Sequence, residues 1–251
     1  MSEIRGLLKR DFFLIMTTAR KRFFTACMCV FVLINIFYIT GGEGYLFKQL
    51  SGVSRLDFVE MMQFPYYTVL QYILPAIICI DFVRKDLYFH AGSILIRLKC
   101  IRNFWLSKLI ISFLVCIFFS FIMLIISIFF VLISSLKVDE TVLSIYLRNA
   151  VYSCMGGFIV LCVYELFSLI ITEISSFIAC LTMICLGLPY ESRLYFINNF
   201  MIKREEEVNL ISFASGGISL IYMLCVLIFT FLTGSMILKK IDIYKKGRTG
   251  E

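Results

Sequence analysis

With 61% hydrophobic and only 16% charged residues over 251 positions, and a mean hydropathy of +0.94, the chain is too apolar for a soluble domain, in which about a quarter of the residues are charged. No water-soluble core can hide this much hydrophobic surface, so part of it must face lipid, and the long unbroken apolar runs favour helices over the alternating strands of a β-barrel. The net charge of +7 lies beside the apolar runs; it indicates an orientation in the membrane and does not favour a nucleic-acid partner.

Residues 4–19 begin the chain with a helical pattern of apolar side chains. Seven of them recur at spacings of three and four, namely Ile4, Leu7, Leu8, Phe12, Ile15, Met16 and Ala19. Arg5, Lys9 and Arg10 lie off that stripe, so the pattern predicts an amphipathic helix lying in the membrane interface. The alternative is a frayed basic tail that only sets the topology.

Six apolar runs follow, each near the length of about 20 residues that a bilayer core requires. They predict an all-α polytopic membrane protein that forms one transmembrane domain over 1–251, with spans near 23–40, 64–83, 107–135, 149–171, 174–189 and 213–238. The third run exceeds one straight span, so it tilts or begins in the cytosol. Only Thr172 and Glu173 separate the fourth run from the fifth, which predicts a tight hairpin.

Basic residues flank these spans unevenly. Seventeen of the 24 Lys and Arg residues fall on the side that holds both ends of the chain and the segment 84–108. The positive-inside rule makes that side cytoplasmic, so we expect a multi-pass protein of the cell membrane with both termini in the cytoplasm. The first run begins late, at Phe23, and no small-x-small cleavage site follows before Gly41, so a retained helix is expected rather than a signal peptide.

The basic segment between spans two and three has a helical pattern of its own. Its apolar stripe is flanked by cations, with Ile94, Leu95, Leu98 and Ile101 on the stripe and Arg97, Lys99 and Arg102 beside it. Gly92 and Ser93 precede the stripe and suit a helix start. We predict a short amphipathic helix under the membrane, held by two spans and placed to receive a push from a soluble partner. A plain positive-inside anchor would need fewer residues and no apolar stripe.

Three segments, 41–63, 136–148 and 190–212, are expected on the outer side as loops. The last of them mixes aromatic residues with a KREEE charge cluster. Within it, residues 194–202 fit a short helix packed back against the membrane and fit an ordinary solvated loop equally well.

Polar side chains interrupt three of the predicted spans. Glu165 lies six residues from the cytoplasmic end of span four, about 9 Å at a rise of about 1.5 Å per residue, and a charge at a helix centre costs about 2.5–3.5 kcal/mol. It either pairs with a cation of a neighbouring helix and contributes to gating, or reaches the cytosolic interface. Asn35 and Gln71 are expected to bond across helices as packing contacts. Asp81 is expected to snorkel or to pair with Arg84.

The common signatures of an enzyme are missing, so no catalytic residue and no metal ligand is assigned. Neither a GxxxxGK[ST] phosphate loop nor a GxSxG elbow occurs, and His90 is the only histidine. No CxxC occurs, and all ten cysteines except Cys100 lie in apolar runs, where they are expected to be small buried hydrophobes without disulfides.

This layout resembles the permease subunits of ABC-2 type exporters, which have an interfacial N-terminal helix, six spans, cytoplasmic termini and a coupling helix between spans two and three. The matching text is AGSILIRLKCIRNFWLSKL, with Gly92, Leu95, Arg102, Trp105, Ser107 and Lys108. Two features depart from the family's pattern. Its acidic residue before the glycine is replaced by His90 or displaced to Asp86, and its frequent proline is absent.

The resemblance implies a permease that moves a hydrophobic or amphipathic substrate outward, an antimicrobial peptide being the favoured example. ATP and Mg would then sit on a separate ATPase, present in two copies, and a second permease copy or a paralogue would complete a dimer in the bilayer. The chain itself would bind no cofactor and no nucleic acid. The implied ATPase-coupling residues are Gly92, Ser93, Leu95, Arg97, Leu98 and Arg102 in one cytoplasmic turn, and Glu173 and Ser175 in a second. The segment 190–212 would be an external re-entrant element.

Two other functional classes stay open at this point. A polytopic membrane enzyme is not excluded by residue counts alone. A secondary transporter or channel would be expected to show more intramembrane charge and internal repeats. The sequence leaves open the substrate, the direction of transport and whether a dimer of permeases is made of one chain or two.

Overall fold

The computed structural model describes residues 2–89, 101–133, 140–190, 195, 197–204 and 215–240, and these contain helices and no strand. The helices, numbered here in chain order, are α1 Ser2–Thr18, α2 Arg20–Ser51, α3 Arg55–Met61, α4 Tyr66–Ile78, α5 Arg84–Phe89, α6 Ile101–Ile133, α7 Glu140–Ser168, α8 Glu173–Gly187, α9 Ile197–Phe200 and α10 Ser215–Lys240. The predicted all-α class is therefore confirmed for this part of the chain.

Four of the helices are long and apolar enough to cross a bilayer. The segments are Arg20–Thr40, Arg102–Val131, Leu143–Ser168 and Ile221–Lys240. The second and fifth predicted spans, 64–83 and 174–189, correspond to the shorter α4 and α8, of 13 and 15 residues, whereas a straight span needs about 20. Four candidate spans are thus shown, and the count of six stays a prediction.

The first two helices form an almost continuous path along α6. Helical hydrogen bonds cross their junction: the Ala19 amide donates to the Ile15 carbonyl, and the Phe23 amide donates to the Ala19 carbonyl, both at 2.8 Å. The Phe23 ring lies 5.3 Å from that of Phe118, and the ring of Tyr38 lies 5.3 Å from that of Phe130. Residues that come later in α1 and α2 contact residues that come later in α6, so α1 and α2 run in the same direction as α6.

The helix predicted over 4–19 is present, but its stripe divides between two surroundings. Leu7, Ile15 and Ala19 are buried in the protein, whereas Phe12 and Met16 are exposed. The buried residues are separated by multiples of four positions, which places them on one face of α1, against α6. The position of this helix in a membrane interface stays a prediction.

Two of the predicted outer loops are largely helical, which corrects the sequence prediction. Helix α2 continues through Gly41 and Gly42 to Ser51, and α3 follows. Helix α7 begins at Glu140, inside the predicted loop 136–148. The fall in hydropathy at these points ends the apolar stretch without ending the helix. Helix α2 stops only before Gly52, whose φ of 83° is the left-handed conformation that favours glycine.

Helix α7 lies at the centre of the bundle and contacts α4, α6, α8 and α10. Two glycines allow the close approach of α4: a Cβ on Gly156 would lie 2.6 Å from the Tyr72 ring, and one on Gly157 would lie 3.3 Å from Pro75.

The predicted tight hairpin is present between α7 and α8. Thr172 caps α8, since its hydroxyl accepts from the Ser175 amide at 3.3 Å.

Residues 197–204 pack into one end of the bundle, here called the far end, together with Gly52 and Leu188. Phe200 and Met201 are buried, and the Tyr72 hydroxyl donates to the Phe200 carbonyl. Arg204 donates to the Val53 carbonyl at 3.0 Å and to the Leu188 carbonyl at 2.7 Å. This favours the packed short helix over the solvated loop for the described part of 194–202.

Candidate functional site: a buried ion cluster

Four charged residues and one serine from three helices meet at the opposite end, here called the basic end. We call this group the ion cluster: Arg10 and Asp11 of α1, Asp86 of α5, and Ser107 and Lys108 of α6. The Lys108 side chain is 0% exposed. Its Nζ lies 2.6 Å from Asp86 Oδ2 and 3.3 Å from Asp11 Oδ1. One desolvated cation therefore bridges carboxylates from two other helices.

Arg10 and Ser107 complete the ion cluster. The Arg10 guanidinium contacts the carboxylates of Asp11 and Asp86, and its side chain is 31% exposed. Ser107 Oγ donates to Asp11 Oδ2 at 2.7 Å. Two cations balance two carboxylates, so the cluster is close to neutral and presents one edge, at Arg10, to solvent.

The Lys108 ammonium also lies against aromatic rings. It is 4.0 Å from the ring centroid of Phe82 and 5.2 Å from that of Phe104, distances at which a cation is attracted to the ring face. Breaking a buried ion pair by removing one partner costs about 3–5 kcal/mol, because a charge is left unpaired in a low-dielectric site. The parts of α1, α5 and α6 that hold these residues are therefore expected to move as a unit.

A polar column continues from Lys108 into the bundle through Ser112 and Glu165. Ser112 follows Lys108 by four residues on α6, about 6 Å deeper at a rise of about 1.5 Å per residue. It is fully buried and its hydroxyl donates to Glu165 Oε1 on α7. Glu165 is 1% exposed. Its Oε2 has no hydrogen-bond partner among the residues that the structure describes.

Neither of the two expected settings of Glu165 is found among the described residues. It does not reach a solvated interface, since it is buried and bonded to α6. No direct ion pair with a cation is formed among the described residues; the nearest cation in the column is Lys108, reached through Ser112. A role of Glu165 in gating remains a prediction.

A second group of charges, here called the carboxyl pair, joins the turn after α4 to the start of α8. Asp81 and Glu173 share a side-chain hydrogen bond. Arg22 Nη2 lies 3.2 Å from Asp81 Oδ2, and Arg84 donates to the Ile171 carbonyl at 3.2 Å. Partial burial, together with the hydrogen bond and charge of Asp81, raises the pKa of Glu173 to about 7. The sequence predicts that Asp81 snorkels or pairs with Arg84; in the structure Asp81 forms an ion pair with Arg22.

The predicted coupling residues fall into three groups. Gly92, Ser93, Leu95, Arg97 and Leu98 lie outside the described residues. Arg102 is exposed in the first turn of α6. Glu173 and Ser175 open α8, where Ser175 takes part in the cap and Glu173 in the carboxyl pair.

The two amides predicted to bond across helices do not form such a bond in the described structure. Asn35 Nδ2 donates to the Phe31 carbonyl of its own helix at 2.8 Å. Gln71 is buried, and its Oε1 has no hydrogen-bond partner within the described ranges. Its side chain contacts Tyr67, one turn earlier on the same helix.

The ion cluster was missed as a site, although the sequence carries a signal for it. Leu7, Asp11, Ile15 and Ala19 are spaced by four residues, so Asp11 lies in the middle of the apolar stripe of α1. A carboxylate in that position must find a cation on the surface that buries it. The partner on α6 is 97 residues away, which no local pattern indicates.

The chain was compared with protein-family models, with curated proteins and with solved structures, and none of the three comparisons gives a match.

Proposed function

We propose that this chain is the membrane-spanning permease subunit of an ATP-driven exporter, with a separate chain as the ATPase. One observation carries the proposal: the ion cluster ties together both flanks of the segment 90–100. Helix α5 ends at Phe89 on one side of that segment and α6 begins at Ile101 on the other. Asp86 and Lys108, each a few residues from a flank, form a buried pair that also holds α1.

This arrangement suits a segment that receives force. A soluble ATPase docked on residues 92–102 would push on α5 and α6 together, since separating them would break a desolvated ion pair. Lys108, Ser112 and Glu165 then lead from that point toward the centre of the bundle. The turn at Thr172–Ser175 is the proposed second contact, which the carboxyl pair connects to Arg22 on α2.

The proposal includes six spans and cytoplasmic termini. Successive helices return to the same ends: Arg22, Asp81 and Lys108 lie at the basic end, whereas Gly52 and Arg204 lie at the far end. This alternation supports short crossings by α4 and α8, with the bilayer thinned around them. The working assembly is two ATPases with two permeases, and the substrate class is hydrophobic or amphipathic, an antimicrobial peptide being the favoured example.

Co-purification from native membranes tests the proposal. The tagged chain should bring down an ATPase, and the charge reversal Arg97→Glu with Arg102→Glu should abolish that recovery while membrane insertion is retained. The matched control is Lys239→Glu with Lys240→Glu, which reverses two charges at the exposed end of α10. The proposal fails if no ATPase is recovered with the unmodified chain, or if both reversals reduce its recovery equally.

One observation favours a second candidate, a proton-coupled secondary transporter. Glu165 is a buried carboxyl inside a candidate span with one oxygen unbonded within the described structure, and such groups serve as proton relays in transporters. Purified chain alone in proteoliposomes would then move its substrate under a pH gradient, and Glu165→Gln would stop it. Flux that requires ATP and a second chain would exclude this candidate.

A further inference from the structure

An apolar groove of about 490 Å³ lies between the α1–α2 junction and α6. Large side chains form its walls, with Phe12, Met16 and Phe23 on one side and Leu114, Phe118 and Phe121 on the other. Along α6 the lining runs from Ile111 to Phe121, about 15 Å at a rise of about 1.5 Å per residue. That is about half of the 30 Å hydrocarbon core of a bilayer, the depth of one leaflet.

Arg20 is the only polar residue among the described residues that line this groove. It is exposed, and no hydrogen bond or ion pair joins its side chain to any residue in the described ranges. Side chains on a helix tilt toward the helix N-terminus, which for α2 is the direction of the basic end. Phe12, Ile15 and Met16 of the lining lie on that side of Arg20, and Phe23 lies beyond it, so the groove has one cationic point within an otherwise apolar lining.

We propose that the groove binds one anionic phospholipid, with an acyl chain between α1–α2 and α6 and the headgroup phosphate on Arg20. The lipid belongs to the leaflet at the basic end, where the ion cluster and the carboxyl pair also lie. The inference is independent of the proposed transport function, because it rests only on the groove and on Arg20.

Charge complementarity selects the anionic lipid. Arg20 and the adjacent Lys21 are both exposed cations, and no carboxylate is among the described lining residues. A zwitterionic headgroup brings its own cation to this surface and gains less from it, whereas a net negative headgroup gains from each basic residue nearby. The apolar length of the groove requires a chain as well as a phosphate, which makes a free phosphate ion a poor occupant.

Native mass spectrometry of the purified full chain tests this proposal. The delipidated protein is titrated with phosphatidylglycerol and, separately, with phosphatidylcholine of the same chains. We expect one phosphatidylglycerol to be retained in preference to phosphatidylcholine. Arg20→Gln should weaken that binding about fivefold, the effect of one basic residue near an anionic headgroup, and Arg20→Lys should largely restore it.

Two further variants separate the groove from general surface charge. Lys21→Gln removes the same charge one residue away, outside the groove lining, and should weaken lipid retention clearly less than Arg20→Gln does. Leu114→Trp fills the apolar length without touching the charge and should displace the lipid; circular dichroism confirms that the variant is folded. Equal retention of both lipids, equal loss in the Arg20 and Lys21 variants, or full binding by folded Leu114→Trp would each overturn the assignment.

Discussion

Lys108 shows how much of this molecule depends on single charges. It has no exposed surface and is the cation that Asp11 and Asp86 share inside the bundle. Hydrophobic residues of similar size often replace a whole buried ion pair at little cost, whereas removing one member leaves its partner uncompensated. The ion cluster is therefore a feature that tolerates joint replacement better than single replacement.

Replacing Lys108 with methionine should destabilise the protein by an amount near the lower end of about 3–5 kcal/mol, because Arg10 stays as a partial counter-ion for both carboxylates. Thermal unfolding in detergent measures the change. Lys240→Met, at the exposed end of α10, is the control and should have little effect. Adding Asp86→Asn to Lys108→Met should recover part of the loss; strict additivity of the two changes would contradict the pairing.

Glu173 should make stability depend on pH. Its pKa rises from an ordinary value of 4.5 to about 7 through burial and the contact with Asp81, so the folded state holds a proton that the unfolded state has released. Its contribution is therefore most favourable below about 4.5 and is lost as the pH rises toward about 7. Because Glu173 is largely solvated, the effect should be small.

The check is the unfolding midpoint of the wild type and of Glu173→Gln between pH 4.5 and pH 7. Glutamine keeps the hydrogen bond to Asp81 and cannot ionise, so the variant should lose the decline that the wild type shows over this interval. Identical slopes in the two proteins would show that Glu173 titrates normally.

At the scale of helices, the contact between α6 and α10 depends on the absence of one side chain. A Cβ on Gly234 would lie 2.3 Å from Trp105 Cε2, and Trp105 Nε1 donates to the Thr230 carbonyl of α10 at 3.2 Å. Gly234→Ala should therefore push the helices apart and cost about 1–3 kcal/mol, as overpacked core positions do.

The fluorescence of Trp105, the only tryptophan of the chain, reports this change directly. Its emission should shift to longer wavelength in Gly234→Ala as the indole loses its buried position. Gly6→Ala is the matched control, since nothing lies within 4 Å of a Cβ at that position. An unshifted spectrum with unchanged stability would mean that α10 is not packed on Trp105.

Helix identity could be predicted from the sequence more reliably than helix ends. Apolar runs of about 20 residues place α2, α6, α7 and α10, because a bilayer selects length and hydropathy. The first run ends at Gly41 and Gly42, which is too early for α2, since glycine and charge lower hydropathy while a helix backbone tolerates both. The second run, by contrast, extends past the end of its helix. Helix α4 stops at Ile78, and Asp81 then adopts a φ of 70° that a regular helix does not allow.

The candidate site was only partly open to prediction, for a physical reason. Local patterns flagged Glu165 and the turn at Glu173, since polar residues in or beside apolar runs stand out. They did not locate the ion cluster, because Asp11 in the apolar stripe of α1 indicates only that a cation is needed, and Asp86 and Lys108 are unremarkable within their own segments. Only the packing of α1 and α5 on α6 brings the three together, and that packing is a property of the assembled chain.

For the molecule as a whole, the orientation in the membrane can be tested at the two ends of the helix bundle. Met62 at the far end is 88% exposed, and Lys240 is exposed at the last residue of α10. In a variant without native cysteines, Met62→Cys should react with a membrane-impermeant maleimide in intact cells. Lys240→Cys should react only after permeabilisation. The reverse pattern would invert the proposed orientation, and with it the access of an ATPase to residues 92–102.

The ion cluster also constrains when the N-terminal helix can pack during synthesis. Asp11 and Asp86 emerge from the ribosome before Lys108, so until Lys108 follows both carboxylates lack its ammonium group. The N-terminal helix is therefore expected to stay at a hydrated surface until α6 begins to enter the bilayer. A nascent chain arrested before residue 108 should leave α1 accessible to proteases. A chain arrested after several further turns of α6 have emerged should protect α1.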